Sequence, residues 1–246
     1  MEKAPDRRAV LVVGAGEATG GAIARRFARE GYIAICTRRE AASLQPLLET
    51  IRADGGEAHG FGADARVEED VINLFNTIEE KLAPLDVVVF NIGANVNFPI
   101  RETTARVYRK VWEMAAFAGF LVGREAARAM VPHGRSTIIF TGATASIRGR
   151  EGFAAFAGAK FALRALAQSM ARELGPQGIH VAHTIIDGAI DTEWIAKNFP
   201  QRHALKEQDG ILNPDHIADA YWMLHVQPRD AWTHELDLRP WMEKMA

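Results

Sequence analysis

Short runs of β-branched and apolar residues alternate along this chain with longer segments in which apolar residues recur at helical spacing. The alternation is typical of β-α-β units, in which helices cover both faces of a parallel sheet. Runs that fit buried strands, each bordered by Gly, Pro or polar turns, lie at residues 9–13, 32–37, 57–62, 86–90, 137–141, 179–185 and 234–238. The sequence therefore predicts an α/β chain built on a parallel sheet.

Helical periodicity fills most of the intervals between these runs. Residues 22–30 and 67–82 predict amphipathic helices, the first of which stops at Gly31. No linker, repeat or low-complexity block divides the 246 residues. We therefore expect one domain over residues 1–246, a doubly wound Rossmann fold of about seven strands with helices on both faces.

Composition and charge exclude several classes of protein. With 48% hydrophobic and 24% charged residues the chain is globular, and a net charge of −2 with interspersed signs gives no reason to expect nucleic acid or an anionic membrane as a partner. The single cysteine, Cys36, forms no internal disulfide, shows no zinc spacing and is expected in the core. The polar N-terminus lacks the hydrophobic region of a signal peptide, and no apolar run is long enough to span a bilayer, so we predict a cytoplasmic protein without a metal site.

A glycine-rich turn follows the first predicted strand. It reads GAGEATGG over residues 14–21 and leads into a helix. In this context Gly14 allows a tight turn, Gly20 lets the helix approach the strand, and the helix N-terminus presents N–H groups to a pyrophosphate. The turn therefore predicts a dinucleotide site, the alternative being a glycine turn without a ligand.

The end of the second strand indicates which dinucleotide is expected. A carboxylate there would accept hydrogen bonds from the ribose of NAD, whereas residues 37–39 read TRR, and a guanidinium holds a 2′-phosphate. We therefore predict NADP, held by Arg38, with NAD less favoured. Glu17 in the glycine turn counts against a nearby phosphate, and Arg38 as an ordinary surface charge is the alternative.

Several motifs together resemble the short-chain dehydrogenase/reductase family. They are the glycine turn, NIG at residues 91–93, Lys160 in the sixth helix and GAIDT at residues 188–192, and the resemblance extends from Val10 to the last strand. Ala18 departs from the pattern, since the family has a glycine there. The resemblance implies cofactor contacts for Gly14, Gly16, Ala18, Thr19, Gly20, Arg38, Asp64, Ala65, Asn91, Gly93, Lys160, Gly188, Ile190 and Thr192. An Asn91 that only caps a turn remains the alternative at that position.

The resemblance also implies a proton-transfer apparatus, most of which this chain lacks. The family uses a Tyr with a Lys four residues later on the same helix face, so that the ammonium lowers the pKa of the Tyr and holds the nicotinamide ribose. Lys160 is retained, but Phe156 stands at the Tyr position. Ala143 and Ala115 stand at the family's Ser and Asn positions, although a shift of one residue would bring Thr144 to the Ser position. We therefore expect ordinary Ser/Tyr/Asn catalysis to be absent.

Other residues are candidates for proton transfer and substrate contact. His183 and Asp187, at the end of the sixth strand, are speculative catalytic residues, and a His183 that faces the core is the alternative. Residues 193–210, polar and rich in breaks, match the family's mobile substrate loop. An apolar substrate pocket is expected from five aromatic residues, which could equally belong to the core: Phe98, Phe153, Phe156, Trp194 and Phe199.

Three functions remain open at this point. The first is an atypical NADP-dependent oxidoreductase that transfers hydride to or from an apolar carbonyl or activated alkene without the usual Tyr. The second is a non-catalytic dinucleotide-binding sensor or subunit, and the third is a non-redox lyase or isomerase. The resemblance further implies a homodimer or homotetramer. A helical segment at 106–130 carries small and apolar residues suited to close packing between subunits: Val111, Ala115, Ala118, Leu121, Val122 and Ala126.

Overall fold

Seven parallel strands form one sheet in the computed structural model, which describes residues 7–244. The strands are β1 (Ala9–Val13), β2 (Ile33–Arg38), β3 (Ala58–Gly62), β4 (Leu85–Phe90), β5 (Ser136–Thr141), β6 (Ile179–Ile186) and β7 (Glu235–Leu238). Their order across the sheet is β3-β2-β1-β4-β5-β6-β7. All seven predicted strands are confirmed, each to within one residue at either end.

The strands could be predicted from the sequence because the sheet is buried on both faces. Every residue of β1, β4, β5 and β6 is buried, so these strands are largely continuous apolar runs rather than alternating ones. Cys36 on β2 is also buried, as predicted, and this burial raises the pKa of its thiol to about 12.

Helices cover the two faces of the sheet. They are α1 (Thr19–Arg29), α2 (Gln45–Ala53), α3 (Glu68–Lys81), α4 (Ala105–Trp112), α5 (Ala118–Met130), α6 (Ala154–Leu174), α7 (Glu193–Asn198), α8 (Pro200–His203) and α9 (Pro214–His225). Helices α1, α2 and α9 pack on one face, and α3, α5 and α6 pack on the other. Across residues 7–244, no helix combines the length and apolarity needed to cross a membrane.

Helices α4 and α5 are joined without a break by a wide helical turn over Glu113–Phe117, whose hydrogen bonds span five residues instead of four. The apolar stripe of this segment faces the interior of the subunit itself, and the six residues expected at a subunit interface are all buried. The prediction that they contact another subunit is therefore wrong, because they cover the sheet and α6. The outer surface instead carries an aromatic patch of Tyr108, Trp112 and Phe120, which are 44%, 41% and 40% exposed.

Residues 193–210 fold into α7, α8 and a tight helical turn over Ala204–Gln208. Asp191 holds this segment from one side, since its carboxylate lies 3.0 Å from Nε2 of His203 and 2.6 Å from Nζ of Lys206. Trp241 holds it from the other side, because its indole N–H donates to the carbonyl of Gln208 at 2.9 Å. The mobility expected of this segment stays a prediction.

Candidate functional site

Two adjoining cavities open at the carboxyl ends of the strands. The larger has a volume of about 470 Å³ and the smaller about 240 Å³. Gly14, Gly16 and residues 91–93 line both of them. These residues follow β1 and β4, which are neighbours in the sheet but not in the chain, and ligands of open parallel sheets bind where the strand order reverses in this way.

The glycine turn is built as the sequence predicts. Gly14 has a φ of +89°, which favours glycine, and a Cβ on Gly20 would lie 2.4 Å from the carbonyl oxygen of Gly14. Asn91 ties this turn to the end of β4, because its side-chain amide donates to the same carbonyl at 3.1 Å and its backbone N–H donates to Val13 at 2.8 Å. The turn therefore requires glycine at both positions, and the side chain of Asn91 stabilises it.

The N-terminus of α1 points its unpaired groups at the larger cavity. The helix has no side-chain cap and no acidic residue in its first turn. The hydroxyl of Thr19 is buried and has no hydrogen-bond partner among residues 7–244. Glu17 is exposed and lines neither cavity, whereas Ala18 and Thr19 line the larger one. This cradle fits the pyrophosphate of a dinucleotide, since backbone N–H groups and the helix dipole favour an anion.

The smaller cavity contains more basic groups than acidic ones. Arg38, Arg39 and Arg66 line it together with Asp64 and Ala65. Arg66 pairs with Asp64 at 2.5 Å, and this hydrogen-bonded pairing lowers the pKa of the Asp64 carboxyl. Arg38 and Arg39 are exposed and have no side-chain partner within the described part of the chain. Two guanidinium groups are therefore available to a phosphate at the end of β2.

Lys160 lies on the wall of the larger cavity together with the residues at the positions that the sequence resemblance assigns to Ser and Tyr. Ala143 and Phe156 line the cavity with Lys160, and none of the three tyrosines of the chain does. Lys160 is only 2% exposed, and its Nζ donates to the carbonyls of Thr141 at 2.8 Å and Ile92 at 3.2 Å. Burial lowers the pKa of this ammonium to about 8. The cavity wall thus carries an ammonium group with a lowered pKa and no phenol beside it.

Two further residues predicted at the site do not reach either cavity. Ala115 lies in the wide turn and is buried in an apolar cluster that also contains Phe156. Thr192 caps α7, since its hydroxyl oxygen accepts a hydrogen bond from the N–H of Ile195 at 3.1 Å. Gly188 and Ile190, just before it in the chain, do line the larger cavity.

The two speculative proton-transfer residues occupy different environments. His183 is 0% exposed and lies behind Gly142, where a Cβ would come within 2.4 Å of its Nε2. Neither of its ring nitrogens has a hydrogen-bond partner among the described residues, and burial lowers the pKa of the imidazole to about 4.

Asp187 does line the larger cavity and is 1% exposed. One of its carboxylate oxygens accepts a hydrogen bond from the hydroxyl of Thr144 at 2.5 Å. The other is buried without a partner among residues 7–244. No cluster of His, Cys, Asp and Glu in that same range is arranged to hold a metal ion. Of the two speculative residues, only Asp187 is placed where a bound molecule would meet it.

The lining of the larger cavity differs from the predicted apolar one. Phe153 and Phe156 contribute to it as expected, but the prediction is wrong for Phe98, Trp194 and Phe199, which are exposed and lie outside it. Charged and polar residues that the sequence reasoning missed also line it: Asn95, Arg148, Arg150, Arg202 and Glu243. The available signal was a pair of arginines shortly after the end of a strand, at the edge of the sheet where parallel folds bind ligands.

The chain belongs to the short-chain dehydrogenase family, whose family model matches residues 8–203. A short-chain dehydrogenase/reductase of Armillaria gallica is 33% identical to it over 177 residues, 71% of this chain and 68% of the relative. A crystal structure of a short-chain dehydrogenase from Rhodopseudomonas palustris is 50% identical, with a TM-score of 0.83 over 96% of this chain and 100% of that one. A metagenomic short-chain oxidoreductase solved in complex with NADP has the same fold at 24% identity, with a TM-score of 0.79 over 97% and 98% of the two chains. The resemblance inferred from the motifs is thereby confirmed.

Proposed function

We propose that this protein is an NADP(H)-dependent oxidoreductase that transfers hydride to or from a carbonyl or activated alkene without a tyrosine proton donor. The observation that carries the proposal is the wall of the larger cavity, where Lys160 is retained while Phe156 and Ala143 replace the family's Tyr and Ser. Hydride transfer needs the lysine and the cradle for positioning, whereas the missing hydroxyls serve proton transfer.

The residues around both cavities support NADP(H) as the cofactor. The turn at 14–20 and the unpaired Thr19 hydroxyl would hold its pyrophosphate, and Arg38 with Arg39 would hold its 2′-phosphate. By resemblance to the family, Asp64 and Ala65 would contact the adenine, and Asn91 and Gly93 would border the adenosine ribose. Ile190 and Lys160 would contact the nicotinamide half. Bound there, the nicotinamide ring would supply or accept a hydride.

Two groups of the chain can act on a proton at this site. Burial lowers the pKa of Lys160 to about 8, so that this group is mostly protonated at neutral pH and loses its proton at mildly alkaline pH. Asp187 offers a carboxylate at the cavity wall, oriented by the hydroxyl of Thr144. The loss of a positioned acid typically lowers a rate by about 10² to 10⁴. A substrate that needs little protonation in the transition state, such as a polarised alkene, is therefore favoured over a simple ketone.

Calorimetric titration with NADPH and NADH, followed by a screen for cofactor oxidation on carbonyl and alkene panels, tests the proposal. We expect tighter binding of NADPH and substrate-dependent oxidation with alkenes that are conjugated to a carbonyl. Tight binding without oxidation of the cofactor by any compound would favour the non-catalytic sensor or subunit. If neither dinucleotide binds, the proposal is contradicted, and a non-redox lyase or isomerase remains as the function.

A further inference from the structure

More basic than acidic side chains line the larger cavity, and the proposed hydride transfer gives a role to only one of these basic groups, Lys160. Arg148 and Arg150 lie on the loop between β5 and α6, and Arg202 lies on α8, so that three guanidinium groups reach one cavity from two separate segments. All three residues are exposed, and none of their side chains has a hydrogen bond or an ion pair with any residue between 7 and 244.

Carboxylates occupy several other arginines of this chain, whereas the three cavity arginines, like Arg38 and Arg39, have donors that no described residue occupies. Arg164 forms two hydrogen bonds with Glu235, at 2.5 Å and 2.8 Å, and Arg124 bonds to both Glu68 and Glu125. The two carboxylates that line the larger cavity do not pair with its arginines. One of them, Asp187, is buried and hydrogen-bonded to Thr144, and the other is Glu243 in the C-terminal segment.

The arginine-bearing segments are held in place. The loop is fixed where the N–H of Phe98 donates to the carbonyl of Gly152 at 2.8 Å and where Arg148 donates from its own N–H to Thr144 at 3.1 Å. Helix α8 is fixed through the contact between its last residue, His203, and Asp191. The fold therefore sets the backbone positions from which the three arginine side chains extend to the cavity.

We propose that Arg148, Arg150 and Arg202 bind an anionic oxygen group, a carboxylate or a phosphate, carried by the substrate. The proposal rests on the proposed function and names the class of its substrate. A guanidinium binds carboxylate and phosphate oxygens through two parallel charge-assisted hydrogen bonds, and partial enclosure by a cavity strengthens them relative to open solvent. The loop begins beside Ala143 and ends at Phe153, so the anion would lie on the substrate side of Phe156 and away from the glycine turn.

Two matched pairs of carbonyl compounds test this assignment by calorimetric binding in the presence and absence of saturating NADPH. The pairs are 4-oxopentanoate with its methyl ester, and dihydroxyacetone phosphate with dihydroxyacetone. We expect at least one anion to bind on the order of tenfold more tightly than its neutral counterpart, since a single charge-assisted hydrogen bond contributes about that factor. The pair that shows the preference distinguishes carboxylate from phosphate.

Variants then assign the preference to residues. The triple variant Arg148→Gln, Arg150→Gln, Arg202→Gln should lose it, and Arg101→Gln, an exposed arginine that lines neither cavity, should keep it. NADPH affinity, measured separately by its fluorescence, should stay the same in the triple variant. The assignment is overturned if neither anion is preferred or if the triple variant retains the preference. It is also overturned if the triple variant loses NADPH affinity instead, because the arginines would then bind the phosphates of the cofactor. A protein that binds no dinucleotide but still prefers the anion would contradict the proposed function and leave this anion site standing.

Discussion

The ammonium nitrogen of Lys160 lies 5.9 Å from the centre of the Phe156 ring, which precedes it by one turn of α6. A tyrosine at position 156 would carry a hydroxyl into the same cavity, within the influence of that cation. We therefore expect Phe156→Tyr combined with Ala143→Ser to create reduction of small reactive ketones by NADPH, where the parent has negligible activity. Rates of NADPH oxidation on a panel of diketones measure the gain, with Phe153→Tyr plus Ala143→Ser as the control.

Ala115→Asn would add the Asn that the family resemblance implies, but it is left out of this combination because it would destabilise the protein. Position 115 is fully buried in an apolar cluster, so an unpaired amide there would destabilise the protein by about 1 to 3 kcal/mol. The prediction for Phe156→Tyr would fail if the parent protein itself reduced ketones at ordinary enzyme rates, about 1 to 10³ per second. Another acid would then have to perform the proton transfer.

Because Lys160 is buried, the free energy of unfolding should depend on pH in the alkaline range. Its pKa is about 8 in the folded protein and near 10.5 in the unfolded chain, so between these values the unfolded chain binds more protons. The free energy of unfolding should therefore gain up to about 3 kcal/mol from this group as the pH rises through that window. Urea unfolding at successive pH values should show this gain in the parent and in Lys81→Met, an exposed control, but not in Lys160→Met. Parallel pH profiles of the parent and Lys160→Met would refute the expectation.

The glycine turn permits a matched pair of substitutions. Gly20→Ala places a methyl group 2.4 Å from the backbone oxygen of Gly14, whereas a Cβ on Gly16 meets no atom within 4 Å. We expect Gly20→Ala to lower the free energy of unfolding by about 1 to 3 kcal/mol, despite the better helix propensity of alanine, and Gly16→Ala to change it little. Chemical denaturation without cofactor compares the two variants. Equal stabilities would mean that the turn relaxes at no cost.

Cofactor preference should depend on Arg38. Arg38→Asp removes a guanidinium from the smaller cavity and supplies a carboxylate to a ribose hydroxyl, so the preference should change from NADPH to NADH. Dissociation constants for both dinucleotides measure the change, and Arg29→Asp, an equal charge change on the surface of α1, serves as the control. A parent protein that prefers NADH by about tenfold would contradict the assignment.

The aromatic patch on α4 and α5 should contact another copy of the chain. Trp112 stacks on Phe117 with ring centres 6.0 Å apart, and Phe117 stacks on Phe120 at 6.2 Å. We expect a dimer or tetramer, which Trp112→Glu with Phe120→Glu would dissociate because the charges would have to be buried. Light scattering should then give a mass near 27.0 kDa for the double variant only, with Trp194→Glu, another exposed tryptophan, as the control. A parent mass of one chain would disprove the contact.

The fold was predictable because buried parallel strands are short apolar runs between turn residues, and each of the seven runs became a strand. Helix α1 begins at Thr19, three residues earlier than predicted, because Gly20 and Gly21 belong to the helix and not to the turn. The stripe from Val111 to Ala126 was assigned to the wrong neighbour, since periodicity shows that a helix face is apolar but does not show what covers it.

The candidate site was predictable where a motif lies on consecutive residues, as in the glycine turn. It was not predictable where the cavity wall is assembled from distant segments. Arg150 and Arg202 are separated by fifty-two positions (202 − 150 = 52) and resemble ordinary surface charges in the sequence. His183 and Asp187 are close in sequence and both buried, yet only Asp187 reaches the cavity, because His183 lies within β6 behind Gly142 whereas Asp187 follows the end of that strand.

The wide turn at Glu113–Phe117 determines the rotational phase of the helices on either side of it. An α-helix advances about 100° per residue, and a single turn with five-residue hydrogen bonds inserts one residue beyond that pattern. This offset lets Val111 pack in the cluster behind Phe156 while Leu121 packs on the sheet. Deleting one residue from the turn would bring the two helices back into phase and rotate one of these faces toward solvent. The length of the segment therefore constrains the wall of the cavity as strictly as its composition does.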